Sequence, residues 1–334
     1  MKNIIAAAAL ICTAATVSAQ GEYSHIAALR NATRGISGLR STADGLHYTF
    51  RNGQGIAMRG YDGRPDEQLL LKVPFGYVDY AFSPDERYIL TAAAEGSRPI
   101  YRHSYTANYY IAEVGGTPRR ILEDARDVSF SPDGRTLAFA RGNNLHLYDI
   151  ATGSVKSVTD DGEWNSIING TTDWVYEEEF GFTRAYAFSP DSRQIAYLRF
   201  DESRVPLFEM MRYDGNLYDK AYSFKYPKAG DTNSTVELWV YNLADGSRRK
   251  VDVGPETDQY ISSLGWTPDG GLYFFRVSRK QDRFEIVVDR DGVQKVIYDE
   301  KAPQYVERKS ADDVMFIDDD RFIVREETSA GYMH

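Results

Sequence analysis

The sequence has almost no cysteine. Cys12 is the single one in 334 residues, and it lies in an apolar stretch at the amino terminus. A chain without a second thiol forms no internal disulfide, no cysteine zinc site and no CxxC redox pair. Basic residues are also in short supply: 39 Lys and Arg face 49 Asp and Glu, a net charge of −10. That balance argues against nucleic acid or an anionic membrane as a partner. Histidine occurs five times, at His25, His47, His103, His146 and His334, never in the company of a nucleophile elbow. No G-x-S-x-G, no glycine-rich phosphate loop and no EF-hand spacing is present, so the sequence offers no catalytic triad, cofactor site or metal site of its own. Long apolar runs are absent beyond the first twenty residues.

Those twenty read MKNIIAAAALICTAATVSAQ. Lys2 precedes an apolar run from Ile4 to Val17, and Val17-Ser18-Ala19 offers the small residues of a signal-peptidase site. The run is shorter than the ~20 residues that span a bilayer. The pattern predicts a cleaved signal over 1–19, a lead-in segment over 20–38, and export to the periplasm or cell surface.

What the sequence has in abundance is one repeated phrase. FSPDERYILTA starts at Phe82, FSPDGRTLAFA at Phe130, FSPDSRQIAYLR at Phe188, WTPDGGLYFFR at Trp266 and FIDDDRFIVRE at Phe316, with a weaker LRSTADGLHYTF from Leu39. The clearer copies are 48, 58, 78 and 50 residues apart. Pro and Asp-Gly set a tight turn, and the alternating apolar residues that follow read as a strand with one buried face. A period near 50 built from such units predicts an all-β fold, a β-propeller with four-stranded blades over 39–334. About six blades fit, and the last copy stops in mid-blade. The widest gap predicts an arm inserted within one blade, over 210–235, rich in Tyr and Lys.

One stretch does not fit a plain blade. Residues 173–180 read DWVYEEEF, three successive acids set among aromatic rings. Like charges side by side repel, so either the turn is solvated or a cation is received there. Residues 101–107 read YRHSYTA, 200–210 FDESRVPLFEM and 226–233 YPKAGDTN. RHSYTA together with DWVYEEE resembles the propeller of the dipeptidyl peptidase IV family, serine peptidases of the prolyl oligopeptidase type, over roughly residues 40–334. The resemblance implies an eight-bladed propeller followed by an α/β-hydrolase domain, which these 334 residues do not include. It implies release of dipeptides from peptides with a free amino terminus and Pro or Ala second. Glu178 and Glu179 match the pair that grips the substrate amine, and Glu177 the first, less directly involved acid. Arg102 matches the arginine that contacts the substrate carbonyl and orients the glutamates, and Phe316 an aromatic bordering the substrate pocket. It further implies a homodimer of the full-length protein, built by the hydrolase domain and the blade arm. With the triad missing, the expectation for this chain alone is no peptidase activity. Two other readings of the same residues are a non-catalytic periplasmic propeller serving binding or assembly, and a related prolyl tripeptidyl peptidase.

Overall fold

In the computed structural model, residues 36–213, 215, 217–307, 309–318 and 321–326 are described. The expected signal over 1–19, most of the lead-in and residues 327–334 lie outside them. The chain divides into two compact units, one ending at Lys72 and one beginning at Val73.

The first unit is a four-stranded antiparallel meander of β1 (Arg40–Ser41), β2 (His47–Arg51), β3 (Gly55–Gly60) and β4 (Gln68–Lys72), paired in chain order. The second unit repeats this plan. Strands β5 (Tyr77–Phe82), β6 (Tyr88–Ala93), β8 (Tyr105–Glu113) and β9 (Arg119–Phe130) form one meander, with the short β7 (Arg98–Pro99) pairing β8. Strand β9 is long enough to serve twice. Its first half closes that sheet, and its second half opens the next, with β10 (Thr136–Arg141), β11 (Asn144–Asp149) and β12 (Val155–Ser157).

The following sheet is the one that departs from the plan. Strands β13 (Ile167–Asn169) and β14 (Tyr186–Phe188) both pair with β15 (Gln194–Asp201), so its first strand is split in two. The excursion between them carries DWVYEEEF. A hairpin of β16 (Leu207–Arg212) and β17 (Lys220–Lys225) is inserted before β18 (Thr235–Asn242) and β19 (Arg248–Val251) complete the sheet. This hairpin is the arm expected from the 78-residue gap. A regular meander follows, of β20 (Gln259–Trp266), β21 (Leu272–Ser278), β22 (Arg283–Arg290) and β23 (Val293–Lys301), then the pair β24 (Val314–Phe316) and β25 (Phe322–Val324).

The recurring phrase is the turn between β5 and β6, β9 and β10, β14 and β15, and β20 and β21, and its chemistry is nearly identical in these four places. Ser83, Ser131 and Ser189 donate from Oγ to Asp85, Asp133 and Asp191 at 2.6, 2.6 and 2.7 Å. Each serine Oγ also accepts the backbone N–H that starts the second strand, from Tyr88, Thr136 and Gln194. Thr267 repeats the pattern with Asp269 and Gly271. The residue after the aspartate takes a positive φ in each turn: Glu86 at 56°, Gly134 at 69°, Ser192 at 60° and Gly270 at 88°. Only a residue without Cβ adopts that region freely, so Gly134→Ala is expected to destabilise by about 1–2 kcal/mol. The space around Gly134 would accept a methyl group without clash, its nearest neighbour being 3.8 Å away, so strain is the whole effect. Urea denaturation showing an unchanged midpoint would refute this.

Within the second unit, apolar side chains on the alternating face of one sheet pack against its neighbour. Ala138, Leu145 and Leu147 of one meet Tyr186, Ile195 and Tyr197 of its successor in a single buried cluster. Polar contacts add to this: the Tyr186 hydroxyl donates to the Ala138 carbonyl at 2.8 Å across the same pair of sheets, and Trp266 Nε1 donates to the Ala187 carbonyl at 3.0 Å across the next pair. Meanders of four strands, packed on one another within the second unit and each too thin to bury itself alone, are the blades that the repeat predicted.

Candidate functional site

The first strands of the sheets in the second unit converge on one cavity of about 640 Å³. Tyr80 of β5, Val128 of β9, Tyr186 of β14 and Ser263 of β20 line it, as do His103, Ser104, Phe180 and Gly181. The acid run lies next to this cavity, because the excursion that carries it interrupts the strand whose ends line it: Phe180 to Arg184 follow the acids directly into the lining.

The run folds as a single wide turn. Val175 is helical, Gly181 ends the turn at φ 76°, and its N–H reaches the carbonyl of Tyr176 at 3.1 Å, five residues back. Such π-type turns are rare and bring more side chains round one circuit than an α-turn does. Asp173 starts it, accepting the Tyr176 N–H at 2.9 Å on one oxygen and the Ser234 hydroxyl at 2.5 Å on the other. Tyr176 anchors it from below. Its ring packs against Phe180, Phe182, Phe200 and Tyr260, and its hydroxyl accepts the Ile261 N–H at 3.0 Å.

The three glutamates then diverge. Glu177 is fully buried and points to the adjacent 100–104 loop, where its Oε1 accepts the N–H of His103 at 2.6 Å and of Ser104 at 2.9 Å. Glu178 is partly buried, and its Oε2 lies 3.7 Å from Arg102 Nη1. Glu179, the next residue of the same turn, is exposed. Arg102 is three-quarters exposed, so the pair with Glu178 is worth only about 0–1 kcal/mol. An ion pair that long and that wet adds little stability, and it can rearrange around a third charged group at small cost.

The structure thus brings together Arg102, Glu177 and Glu178, with Glu179 beside them. It does not bring Phe316 to them. Phe316 packs on Tyr273 and Phe322, at ring-centroid distances of 4.8 and 5.8 Å, beside a separate recess lined by Thr267, Val288 and Arg321. It is the fifth of the aromatics that open the repeated turns, after Phe82, Phe130, Phe188 and Trp266, and it packs on the rings beside it.

Three features of the site escaped the sequence. Glu202, in FDESRV, is 1% exposed, and its Oε2 has no hydrogen-bond partner. Burial, with the charge of Asp173 adding to it, pushes its carboxyl up to about 8. Burial likewise raises Asp173 above the usual carboxylate range. The inserted arm is the third. Its Tyr222 donates to the Ile100 carbonyl at 3.0 Å, and Tyr101 packs on Trp164 and Phe224, so the arm's base braces the loop that presents Arg102. None of these contacts joins residues close in sequence. Among the described residues, no group of three or more His, Cys, Asp or Glu side chains is placed to hold a metal ion.

Residues 83–334 match the family described as the dipeptidyl peptidase IV (DPP IV) N-terminal region. A dipeptidyl peptidase 4 of Trichophyton tonsurans is 32% identical over 269 residues, 75% of this chain and 34% of that protein. The dipeptidyl peptidase 4 of Arthroderma otae gives the same identity and coverage. The chain spans about a third of the length of these relatives. Among solved structures, Porphyromonas gingivalis dipeptidyl peptidase 4 superposes with a TM-score of 0.80 at 33% identity, covering 90% of this chain and 46% of that one. A Bacteroides ovatus structure, 22% identical with a TM-score of 0.68, shares the fold.

Proposed function

Because the chain belongs to the dipeptidyl peptidase IV family, we propose that its propeller captures the free amino terminus of a peptide for a serine-type hydrolase domain supplied by the longer protein. The carrying observation is the Arg102–Glu178 pair, set on a turn whose end, Phe180 and Gly181, lines the central cavity. An α-ammonium group has three N–H donors. Glu178 and Glu179 would take two in charge-assisted hydrogen bonds, each ion pair worth ~4 kcal/mol at 4 Å and an effective dielectric near 20 before desolvation is subtracted. Arg102 would turn from Glu178 toward the peptide carbonyl. Glu177 holds no ligand in this reading: both of its hydrogen bonds go to the loop that carries Arg102.

Fixing the amine also fixes the length of the product. Extended chain advances ~3.3–3.6 Å per residue, so the second carbonyl would lie ~7 Å from the acids, within reach of a nucleophile presented there. Release of X-Pro or X-Ala dipeptides, export through the signal over 1–19, and inactivity of this chain by itself belong to the same proposal. So does dimerisation of the intact protein through the arm, where Leu207, Met210, Met211 and Tyr218 are exposed. Without a triad, the chain binds and does not cut.

Calorimetric titration of the purified chain with a Gly-Pro-Ala peptide tests the capture. The free-amine peptide is expected to bind about 30-fold more tightly than its N-acetylated form, since acetylation removes the charge and two donors. Glu178→Gln should remove most of that preference. Equal binding of the two peptides would refute amine capture, and turnover of a Gly-Pro chromogenic substrate by the chain alone would refute its inactivity.

A further inference from the structure

The loop that carries Arg102 borders two cavities. His103 and Ser104 line the central one, whereas Pro99 and Ile100 line a separate recess of about 400 Å³. Four arginines line this recess, Arg98, Arg126, Arg141 and Arg212, against one carboxylate, Asp124. In a chain of net charge −10 that is a local reversal of sign.

The neighbouring acids do not neutralise it. Asp124 is committed to Arg98, whose hydrogen bond, reinforced by Thr106, holds its carboxyl below the usual range. Asp127 takes only the Nε of Arg126, at 3.0 Å, and also accepts from Thr183. Arg126 is 6% exposed, and its Nη2 is buried with no hydrogen-bond partner. Its placement is built into the strand. Asp124 and Asp127 both take positive φ, 50° and 54°, and the pairing of β9 with β10 slips between Ala138 and Ala140. Irregularities of that kind re-aim a side chain. Arg141 and Arg212 are held over aromatic rings, Phe139 at 5.3 Å and Tyr222 at 4.8 Å. A ring face restrains a guanidinium without using its N–H donors.

We propose that this recess is an anion-binding site, which takes a carboxylate or a phosphate-sized oxyanion between Arg126, Arg141 and Arg212. Planar guanidiniums match the two oxygens of such groups in bidentate fashion. The ligand is either an acidic side chain of a peptide or a free oxyanion, and both present the same oxygens. The assignment stands on the arginine cluster and is independent of amine capture at Glu178.

The full chain would be titrated at low salt with inorganic phosphate and with glutarate. Saturable binding is expected, at least tenfold weaker in Arg126→Gln and in Arg141→Gln, and weaker again as salt screens the charges. Should Arg126→Gln fail to fold, Arg141→Gln, whose side chain is partly exposed, decides the matter. A pair of N-acetylated peptides differing only by Glu or Gln separates the sources. Preference for Glu in the wild type, lost in Arg141→Gln, assigns the acidic side chain; phosphate binding with no preference between peptides assigns the free oxyanion. Absence of saturable phosphate and glutarate binding to the wild type, or binding undiminished in every folded variant, overturns the proposal. Because acetylated peptides bypass the amine site, failure there and failure here are distinguishable.

Discussion

Raising the pH from 5 to 9 is expected to lower the stability of the folded chain by roughly 4 kcal/mol, and Glu202→Gln is expected to abolish most of that loss. Glu202 is 1% exposed and its carboxyl is pushed up to about 8 from an ordinary 4.5, burial being the main cause and Asp173 the next. In this window the folded state keeps a proton that the unfolded chain has released. Stability then falls with rising pH, at about 1.4 kcal/mol per unit between the two values. The contribution is full below the unfolded value and is gone once pH passes the folded one. Asp173, raised by burial, acts in the same direction, whereas the charge of Lys225 partly offsets the rise at Glu202. Carboxylates held low by hydrogen bonds, such as Asp85 and Asp191, change stability only at more acidic pH. His146, lowered by burial, works in the opposite sense below its ordinary 6.5. The difference between wild type and Glu202→Gln therefore isolates the buried acid. Glutamine mimics the protonated form, so the two proteins should be similar at pH 5, with the variant more stable at pH 9. Parallel urea-unfolding curves at both pH values, with no such divergence, would sink the expectation.

Glu177→Ala is expected to destabilise by about 3 kcal/mol, and Glu177→Gln by less than about 1 kcal/mol. The carboxylate has one oxygen on two backbone N–H groups, at 2.6 and 2.9 Å, and a second, buried oxygen without a partner. Alanine strands both donors, of which the buried Ser104 N–H is worth about 1–3 kcal/mol when left unmade and the partly buried His103 N–H less, and it leaves a void beside Tyr176. Glutamine keeps the accepting oxygen and removes a buried charge, which offsets the weaker hydrogen bonds. The two variants also separate positioning from plain stability. If Glu177 sets the Arg102 loop, alanine weakens binding of a free-amine peptide even where the protein is fully folded, and glutamine restores it. Denaturation curves and peptide titrations on the same preparations check both, and equal behaviour of the two variants would refute the clamp.

These two acids mark where reading the sequence succeeds and where it stops. The repeated turn was legible because every part of it is local. Ser83, Asp85 and the residue between Asp85 and Arg87 meet within five positions, and chain geometry alone brings them together. The arm was legible as an interval that is too long. The acid run stood out by composition, and its match to RHSYTA brought Arg102 to Glu178 across 76 positions. Phe316 was matched by alignment to an aromatic bordering the substrate pocket; what the structure adds is its packing on Tyr273 and Phe322, which no local pattern announces. Glu202 was read as one letter of a family signature. Nothing nearby in sequence announces that it is buried within the field of Asp173, 29 positions away.

By itself, then, the sequence determined the turn, the strand that follows it, and their recurrence, since all three rest on φ preferences and on alternation over a few residues. It also determined that acids crowd at 177–179 and that the single cysteine, Cys12, lies far from them along the chain. Only the tertiary structure decided which of those acids is buried, which pairs with Arg102, and where arginines gather against the overall charge. Burial and field are sums over side chains from separate sheets, and the order of residues along the chain does not contain those distances.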